Sequence, residues 1–157
     1  MAAFMSGNDA VHAVCPQCQR QIRIPADRVR QQHRCPACKA PVFDGRSVNL
    51  DDPSFDSFLA RSDLPVLVGF WASWCAPCGA FAPVVAQAAA DLAASVVIAK
   101  VDSDAAPRTA SRLAIRSIPT VALFRGGRKF DRKSGAISIQ ALREWAASKS
   151  APGQLPS

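Results

Sequence analysis

No apolar run in this 157-residue chain approaches the ~18–20 residues that a membrane-spanning helix requires, so no membrane association is expected. The first fourteen residues hold no lysine or arginine and no sustained apolar stretch, and a secretory signal peptide needs both. These absences point to a cytoplasmic protein. The sequence has no internal repeat and no low-complexity segment, and its 49 % apolar against 20 % charged content excludes a disordered polyelectrolyte. Acidic residues are outnumbered by basic ones, and the net charge is +7. Residues 1–46 carry seven Lys/Arg against three Asp, and residues 47–157 carry twelve against nine acids. The surplus favours acidic partners but does not by itself argue for nucleic acid binding.

Nor is any cysteine left over. The six fall into three Cys-x-x-Cys pairs: Cys15/Cys18, Cys35/Cys38 and Cys75/Cys78. A cytoplasmic compartment keeps thiols reduced, so metal or redox chemistry is expected of them rather than structural disulfides.

The first two pairs lie in a segment, 14–46, with few apolar residues: Val14, Ile22, Ile24, Val29, Val42 and Phe43. Gln21-Ile22-Arg23-Ile24 alternates like a short strand that Pro25 ends. A segment this small cannot bury a stable core unaided. Cys15-Pro-Gln-Cys18 and Cys35-Pro-Ala-Cys38 stand sixteen residues apart, the spacing of a structural four-cysteine zinc ribbon. One structural Zn2+ per chain is therefore expected, bound by Cys15, Cys18, Cys35 and Cys38. Zinc binding, worth on the order of 10 kcal/mol in small modules, suffices to fold such a segment. The competing reading is two further redox pairs. His33 is a possible substitute ligand, but with four cysteines present both His33 and His12 are expected to face solvent. Arg20, Arg23, Arg28, Arg30 and Arg34 have no aromatic interleaved with them, so a solvated face is expected and no nucleic acid partner.

Residues 1–13 read as a flexible leader, 47–149 as the main domain and 150–157 as a flexible tail, with Asp44-Gly45-Arg46 a turn-like joint. In the main domain strands and helices alternate. Asp51-Asp52-Pro53 starts a helix, with Phe55, Phe58 and Leu59 at helical spacing. Residues 65–71 form an apolar run expected of a strand buried on both faces. After Cys75 a long helix carries the stripe Phe81, Val84, Val85, Ala88 and Leu92, with Pro83 a kink inside it. A second buried strand over 96–101 and a short helix over 106–113 follow. Gly126-Gly127 then turns a hairpin between 120–124 and 128–132, and Ser138 caps a last helix bearing Ile139, Leu142 and Ala146. The order βα, βα, βα, ββα implies an α/β fold: a mixed central sheet with helices on both faces.

Cys75 and Cys78 fall just after a buried strand, at the start of a helix. Only a thiolate attacks a disulfide, and a free thiol with pKa ~8.5 is only a few per cent ionised at neutral pH. A helix N-terminus offers unpaired N–H groups and a partial positive charge. Cys75, at the mouth and more exposed, is read as the attacking thiol, and Cys78, one turn on, as the one that resolves the mixed disulfide. Pro77 fixes φ between them and suits a first helical turn. A metal site or simple burial is the alternative, but a mononuclear zinc site needs about four ligands and neither histidine lies near this pair.

Phe70-Trp71-Ala72-Ser73-Trp74-Cys75-Ala76-Pro77-Cys78 closely resembles the active-site segment of the thioredoxin family, and Ile118-Pro119-Thr120 resembles its cis-proline loop. Phe124-Arg125-Gly126-Gly127 and Ser134-Gly135-Ala136 resemble later landmarks, in order, over about residues 47–149. With the four-cysteine segment ahead of it, the chain resembles the zinc-binding bacterial thioredoxins of the thioredoxin 2 type. The resemblance implies a thioredoxin fold, reduction of protein disulfides in client proteins, and no bound organic cofactor. It implies reducing equivalents from NADPH through a thioredoxin reductase, and a monomer. It also implies that Pro119 sits cis beside Cys75, that Trp74 shields the pair and offers an apolar docking surface, and that Trp71 packs. One departure stands out. Relatives usually carry a buried Asp in Val-Asp-Phe-Trp-Ala, thought to accept the resolving cysteine's proton, where this chain has Val68-Gly69-Phe70-Trp71-Ala72. Lys100, at the place of the family's partnering lysine, is present, and a salt-bridged surface position is its plainer reading. Gly69 implies either slow deprotonation of Cys78 or a proton relay through water. The alternative function is a zinc- or redox-sensing holdase, or a docking module, with weak reductase activity.

Overall fold

The fold is described from a computed structural model over residues 10–29 and 31–150. It has two lobes. In the first, β1 (Ala10–Val14) pairs antiparallel with β2 (Gln21–Pro25), and a 3-10 turn over Ala26–Arg28 follows. Ile22 and Ile24 alternate inward between exposed Gln21 and Arg23. Opposite them stand Ala13 and Val11, both buried. β1 thus takes in the last residues of the stretch read as a leader. The reason is physical: a lone strand leaves one edge of hydrogen-bonding groups unpaired, and Val11 and Ala13 supply the partner face. Residues 1–9 lie outside the described residues. Ser150 closes the last helix, and the rest of the tail read over 150–157 also lies outside them. The lobe's core is small: Ala13, Cys15, Ile22, Ile24, Cys35 and Val42, with Val29, Ala40 and Phe43 against it.

The second lobe is a five-stranded sheet ordered β3-β5-β4-β6-β7, where β3 is Val48–Leu50, β4 Val66–Trp71, β5 Val97–Asp102, β6 Thr120–Arg125 and β7 Arg128–Ser134. β3, β5 and β4 run parallel, while β6 and β7 are antiparallel. α1 (Phe55–Arg61) covers one face, where Phe55, Phe58 and Leu59 meet Val68, Phe70, Val101 and Phe124. α3 (Pro107–Arg112) sits between Ala106 and Leu113, which join that same core. α2 (Ala76–Asp91) and α4 (Ile139–Ser150) cover the other face, where Phe81, Val85, Leu142 and Trp145 meet Leu67, Ile98, Val121 and Leu123. The expected α/β arrangement, a mixed sheet with helices on both faces, is what the chain forms. Gly126 and Gly127 both have positive φ (60° and 84°), the geometry of a type I′ turn. Among the described residues no helix is long and apolar enough to cross a membrane.

The lobes are joined away from the carboxyl end of β4. The His12 N–H donates to Asp63 Oδ2 (2.6 Å), the His12 Nδ1 is 3.0 Å from the same oxygen, and the Asp63 N–H donates to the His12 carbonyl (2.8 Å). Gln21 Nε2 donates to the Arg61 carbonyl (3.0 Å). The joint passes beside the end of α2, where a Cβ on Gly45 would make ordinary contact with Ala90 Cα at 3.4 Å and the positive φ (76°) is what favours glycine. The sixteen residues of α2 span about 24 Å. The first lobe thus docks roughly a helix length from the start of α2. The histidines, expected to face solvent, are partly exposed but each has a partner. His12 is held at the inter-lobe contact, and His33 Nε2 lies 2.6 Å from the Arg28 carbonyl with its ring edge-on to Phe43.

The Asp51-Asp52 pair divides its work. Asp51 and Ser54 close the turn before α1: the Ser54 N–H and Oγ both donate to Asp51 Oδ1 (3.0 and 2.7 Å), and the Asp51 N–H donates to Ser54 Oγ (3.0 Å). Asp52 instead caps α3. Its carboxylate accepts from the N–H of Arg108 (3.2 Å), the N–H of Thr109 (2.8 Å) and the Thr109 hydroxyl (2.7 Å). Desolvation pushes its pKa up, but these hydrogen bonds and the nearby Arg108 charge outweigh it and hold the group below the ordinary carboxylate value of 3.8. A carboxyl depressed in the folded state contributes stability above its unfolded pKa and loses it as pH falls through the folded one. Asp52→Asn should therefore melt at a lower temperature than wild type at pH 7. Calorimetry should show the gap closing as pH falls below about 4; a gap constant with pH would mean that Asp52 acts through shape alone.

Candidate redox centre and four-cysteine cluster

β4 emerges from the sheet at Trp71, and four residues later Cys75 stands at the N-cap of α2 with extended backbone (φ −91°, ψ 107°). Its Sγ accepts the Cys78 N–H at 3.2 Å, one of the orphan donors of the first helical turn. Pro77, also in that first turn, has no N–H to leave unpaired. Cys75 and Cys78 are joined in a disulfide, with Cα atoms 5.2 Å apart. The two residues are nearly equally covered, 7 % and 5 % exposed, so the expected contrast in exposure is slight. Their direction differs more. Cys75 Sγ lies 3.7 Å from the Ile118 carbonyl oxygen, and the Ile118–Pro119 peptide next to it is cis. The Gly135 N–H holds the Pro119 carbonyl (2.8 Å), and the Thr120 hydroxyl holds the Ser117 carbonyl (2.6 Å), so this loop is fixed from both sides.

Ala72, Cys75 and Cys78 form a small buried cluster with Trp71 and Ile118 packed on it. Trp74 is 70 % exposed beside it, its Nε1 donating to Asp104 Oδ2 (2.8 Å). Asp104 is not visible as a site residue from sequence, because its contact with Trp74 spans thirty positions.

Behind the disulfide lies a pocket of about 210 Å³, lined by Gly69, Trp71, Cys78, Phe81, Val85 and Lys100 among others. Gly69 and Lys100 are paired in register on neighbouring strands. A Cβ on Gly69 would meet nothing nearer than the Ala99 carbonyl at 4.0 Å. Lys100 is not the salt-bridged surface lysine of the plainer sequence reading. Among the described residues no carboxylate lies within 4.0 Å of it, and its Nζ sits 5.8 Å from the centre of the Trp71 ring.

In the first lobe the four sulfurs of Cys15, Cys18, Cys35 and Cys38 lie within 4.8 Å of one another. The Cys15–Cys38 and Cys18–Cys35 sulfur pairs are 3.6 Å apart. Four sulfurs about 2.3 Å from a shared tetrahedral centre would stand on the order of 3.8 Å apart, so the donor set fits a zinc-sized ion. The two knuckles repeat each other. The Gln17 and Cys18 N–H groups donate to Cys15 Sγ (3.4 and 3.5 Å), and the Ala37 N–H donates to Cys35 Sγ (3.4 Å). The residue after each second cysteine, Gln19 and Lys39, is left-handed (φ 63° and 69°). Its N–H returns to the first cysteine's carbonyl (2.9 and 2.8 Å). No residue type marks these two positions in advance, since neither is Gly or Asn. The backbone N–H groups of Cys38 and Ala37, with the Cys18 thiol, hold Cys35 down at about 6. The Arg20 N–H pulls Cys18 down as well, but burial and the thiols of Cys35, Cys15 and Cys38 push it up to about 11. Four thiolates cannot share this space without a cation to balance them.

Comparison with known proteins agrees with the geometry. The thioredoxin family matches residues 46–148. Thioredoxin C-3 of Corynebacterium nephridii is 36 % identical over 132 residues, 84 % of this chain and 90 % of its own. That stretch is longer than the family match and only nine residues follow 148, so it takes in part of the four-cysteine lobe. The thioredoxins of Rickettsia bellii and of Nostoc sp. (thioredoxin 1) are each 43 % identical, over 62 % of this chain and 92 % of theirs. A cysteine pair at a helix start, a mixed sheet covered on both faces and this extent of identity together place the chain in the thioredoxin family of thiol–disulfide oxidoreductases.

Proposed function

We propose that the protein reduces disulfides in client proteins, with Cys75 as the attacking and Cys78 as the resolving thiol. The observation that carries this reading is the position of Cys75 at the N-cap of α2, where the Cys78 N–H points at its sulfur. A helix N-terminus stabilises a thiolate by about 0.3–2 kcal/mol, which raises the reactive fraction severalfold. Cys75 opens the client disulfide and forms a mixed disulfide. Cys78 then attacks Cys75, and the client leaves as a dithiol. Pro77 shapes the first turn between them. The cis Pro119 loop and exposed Trp74 flank Cys75, and they form the surface against which a client backbone is held. Lys100 supports the site from behind, through the pocket.

The four cysteines of residues 14–46 hold one structural Zn2+, the four-cysteine ribbon of a bacterial thioredoxin 2 type, ahead of a thioredoxin domain over 47–149. Reduced thiols are a condition of that site, and a reducing cytoplasm supplies it. Electrons come from NADPH through a thioredoxin reductase, with no organic cofactor bound. The protein acts as a monomer.

Reduction of insulin disulfides with dithiothreitol as electron source tests the first part. Wild type should accelerate precipitation of the insulin B chain, and Cys75→Ser should fall to the dithiothreitol background. No acceleration by wild type would remove the general reductase reading.

For the second part, metal analysis of the reduced protein should find one zinc per chain. Cys35→Ser should lose the metal and the amide-exchange protection of β1 and β2. Its insulin rate should change less than about twofold, since the cluster lies about a helix length from Cys75. Full zinc in that variant would show that the cluster is not the ligand set.

A further inference from the structure

The pocket behind the disulfide pairs two features rarely left together. Its walls, Phe81 and Val85 among them, are apolar, yet Lys100 brings an ammonium to its lining. A half-buried ammonium is costly without a counter-charge. The acid next along its strand is already engaged: Asp102 Oδ1 accepts the N–H groups of Asp104 (3.0 Å) and Ala105 (3.4 Å). Trp71, which also lines the pocket, has a buried indole N–H with no hydrogen-bond partner. Gly69, opposite Lys100, contributes no side chain, and the space around its Cα is open. One cation, one spare N–H donor, apolar walls and room for a few heavy atoms describe a receptor for a small organic acid.

We propose that this pocket binds a small monocarboxylate of acetate size, its carboxylate on Lys100 and its alkyl end against Phe81 and Val85, and that the bound carboxylate serves as the base for Cys78. The inference rests on the reductase reading above. Cys78 lines the same pocket, so a carboxylate there lies on the path of its proton. In the resolving step the Cys78 S–H gives its proton to the carboxylate, and the resulting thiolate attacks the Cys75 sulfur of the mixed disulfide. The Cys75–Cys78 bond forms as the bond from Cys75 to the client sulfur breaks. The client sulfur leaves with the electron pair and takes the proton back from the carboxylic acid. Two cysteines are oxidised, the client disulfide is reduced to two thiols, and the acid is regenerated as carboxylate.

The test is stopped-flow reaction of reduced, zinc-loaded protein with one equivalent of dithiobis(nitrobenzoate). Attack by Cys75 releases the first thionitrobenzoate, and resolution by Cys78 releases the second. Sodium acetate should speed only the second release, saturably and by roughly tenfold, a modest share of what a positioned base gives. Equal concentrations of sodium chloride or acetamide should not. Gly69→Asp, which supplies a carboxylate of its own, should resolve fast without acetate and ignore added acetate. Lys100→Met should raise the half-saturating acetate concentration. Saturable quenching of tryptophan fluorescence by acetate in the oxidised wild type reads binding without turnover. An unsaturable acetate effect, an equal effect of chloride, or a second release indifferent to acetate would overturn the proposal. Absence of two-step release altogether would instead overturn the roles of Cys75 and Cys78.

Discussion

The structure depends first on the burial of β4 on both faces. Val66, Val68 and Phe70 enter one core and Leu67 the other, while β5 and β6 take its backbone hydrogen bonds. A strand held this way has one place to end, and the helix that follows must start there to cross over to parallel β5. Hydrophobic burial, worth about 1.5–3 kcal/mol per large side chain, therefore aims the N-terminus of α2. Its unpaired N–H groups and partial positive charge coincide with Cys75 because the sheet leaves no other position. The position of Cys75 at the helix start is a consequence of packing at Val68 and Phe70.

The opposite face of β4 explains what is unusual about the site. Leu67 fills the core beneath α2, Gly69 fills nothing, and Trp71 closes the end. Strand periodicity places all three toward α2. Removing one side chain in the middle of this row produces a pocket directly behind the disulfide and leaves Lys100 facing it without an acid. The first lobe solves a different problem. Its core is too small to stand alone, and its sulfur cluster sits where a larger domain would have apolar side chains. The lobe is tied to the far end of the sheet through His12 and Asp63 and by the joint at Gly45, which passes beside the end of α2. The Cys75–Cys78 pair and the four-cysteine cluster are thus held apart by the length of α2.

Much of this was legible in the sequence. The three cysteine pairs, the apolar run over 65–71, the stripe along α2 and the Gly126-Gly127 turn are local patterns, and local patterns survive folding. What was hidden depended on distant partners. β1 offered only Val11 and Ala13 as a signal, too short an alternation to read before β2 was beside it. Asp52 reads as a cap for the helix that follows it, yet the donors it meets belong to α3, 56 and 57 positions away. His12 reads as a solvent-facing residue in the sequence and is an inter-lobe contact by position. Trp145, at i+3 from Leu142, belongs to the same helical stripe, but only the fold shows that its Nε1 donates to Asp131 (2.6 Å). Lys100 reads as a surface ion pair because nothing in the sequence shows that its neighbours on the sheet are Gly69 and Asn49 and that its ammonium meets the Trp71 ring.

The central claim is that fold geometry, not thiol count, selects one nucleophile among six cysteines. The direct measurement is to react zinc-loaded Cys78→Ser with oxidised insulin, trap the mixed disulfide, and map the joined cysteine by mass spectrometry. The account predicts a covalent adduct at Cys75 and none at Cys18 or Cys38, although those two are the exposed members of the cluster. An adduct at Cys18 or Cys38, with Cys75 free, would contradict it.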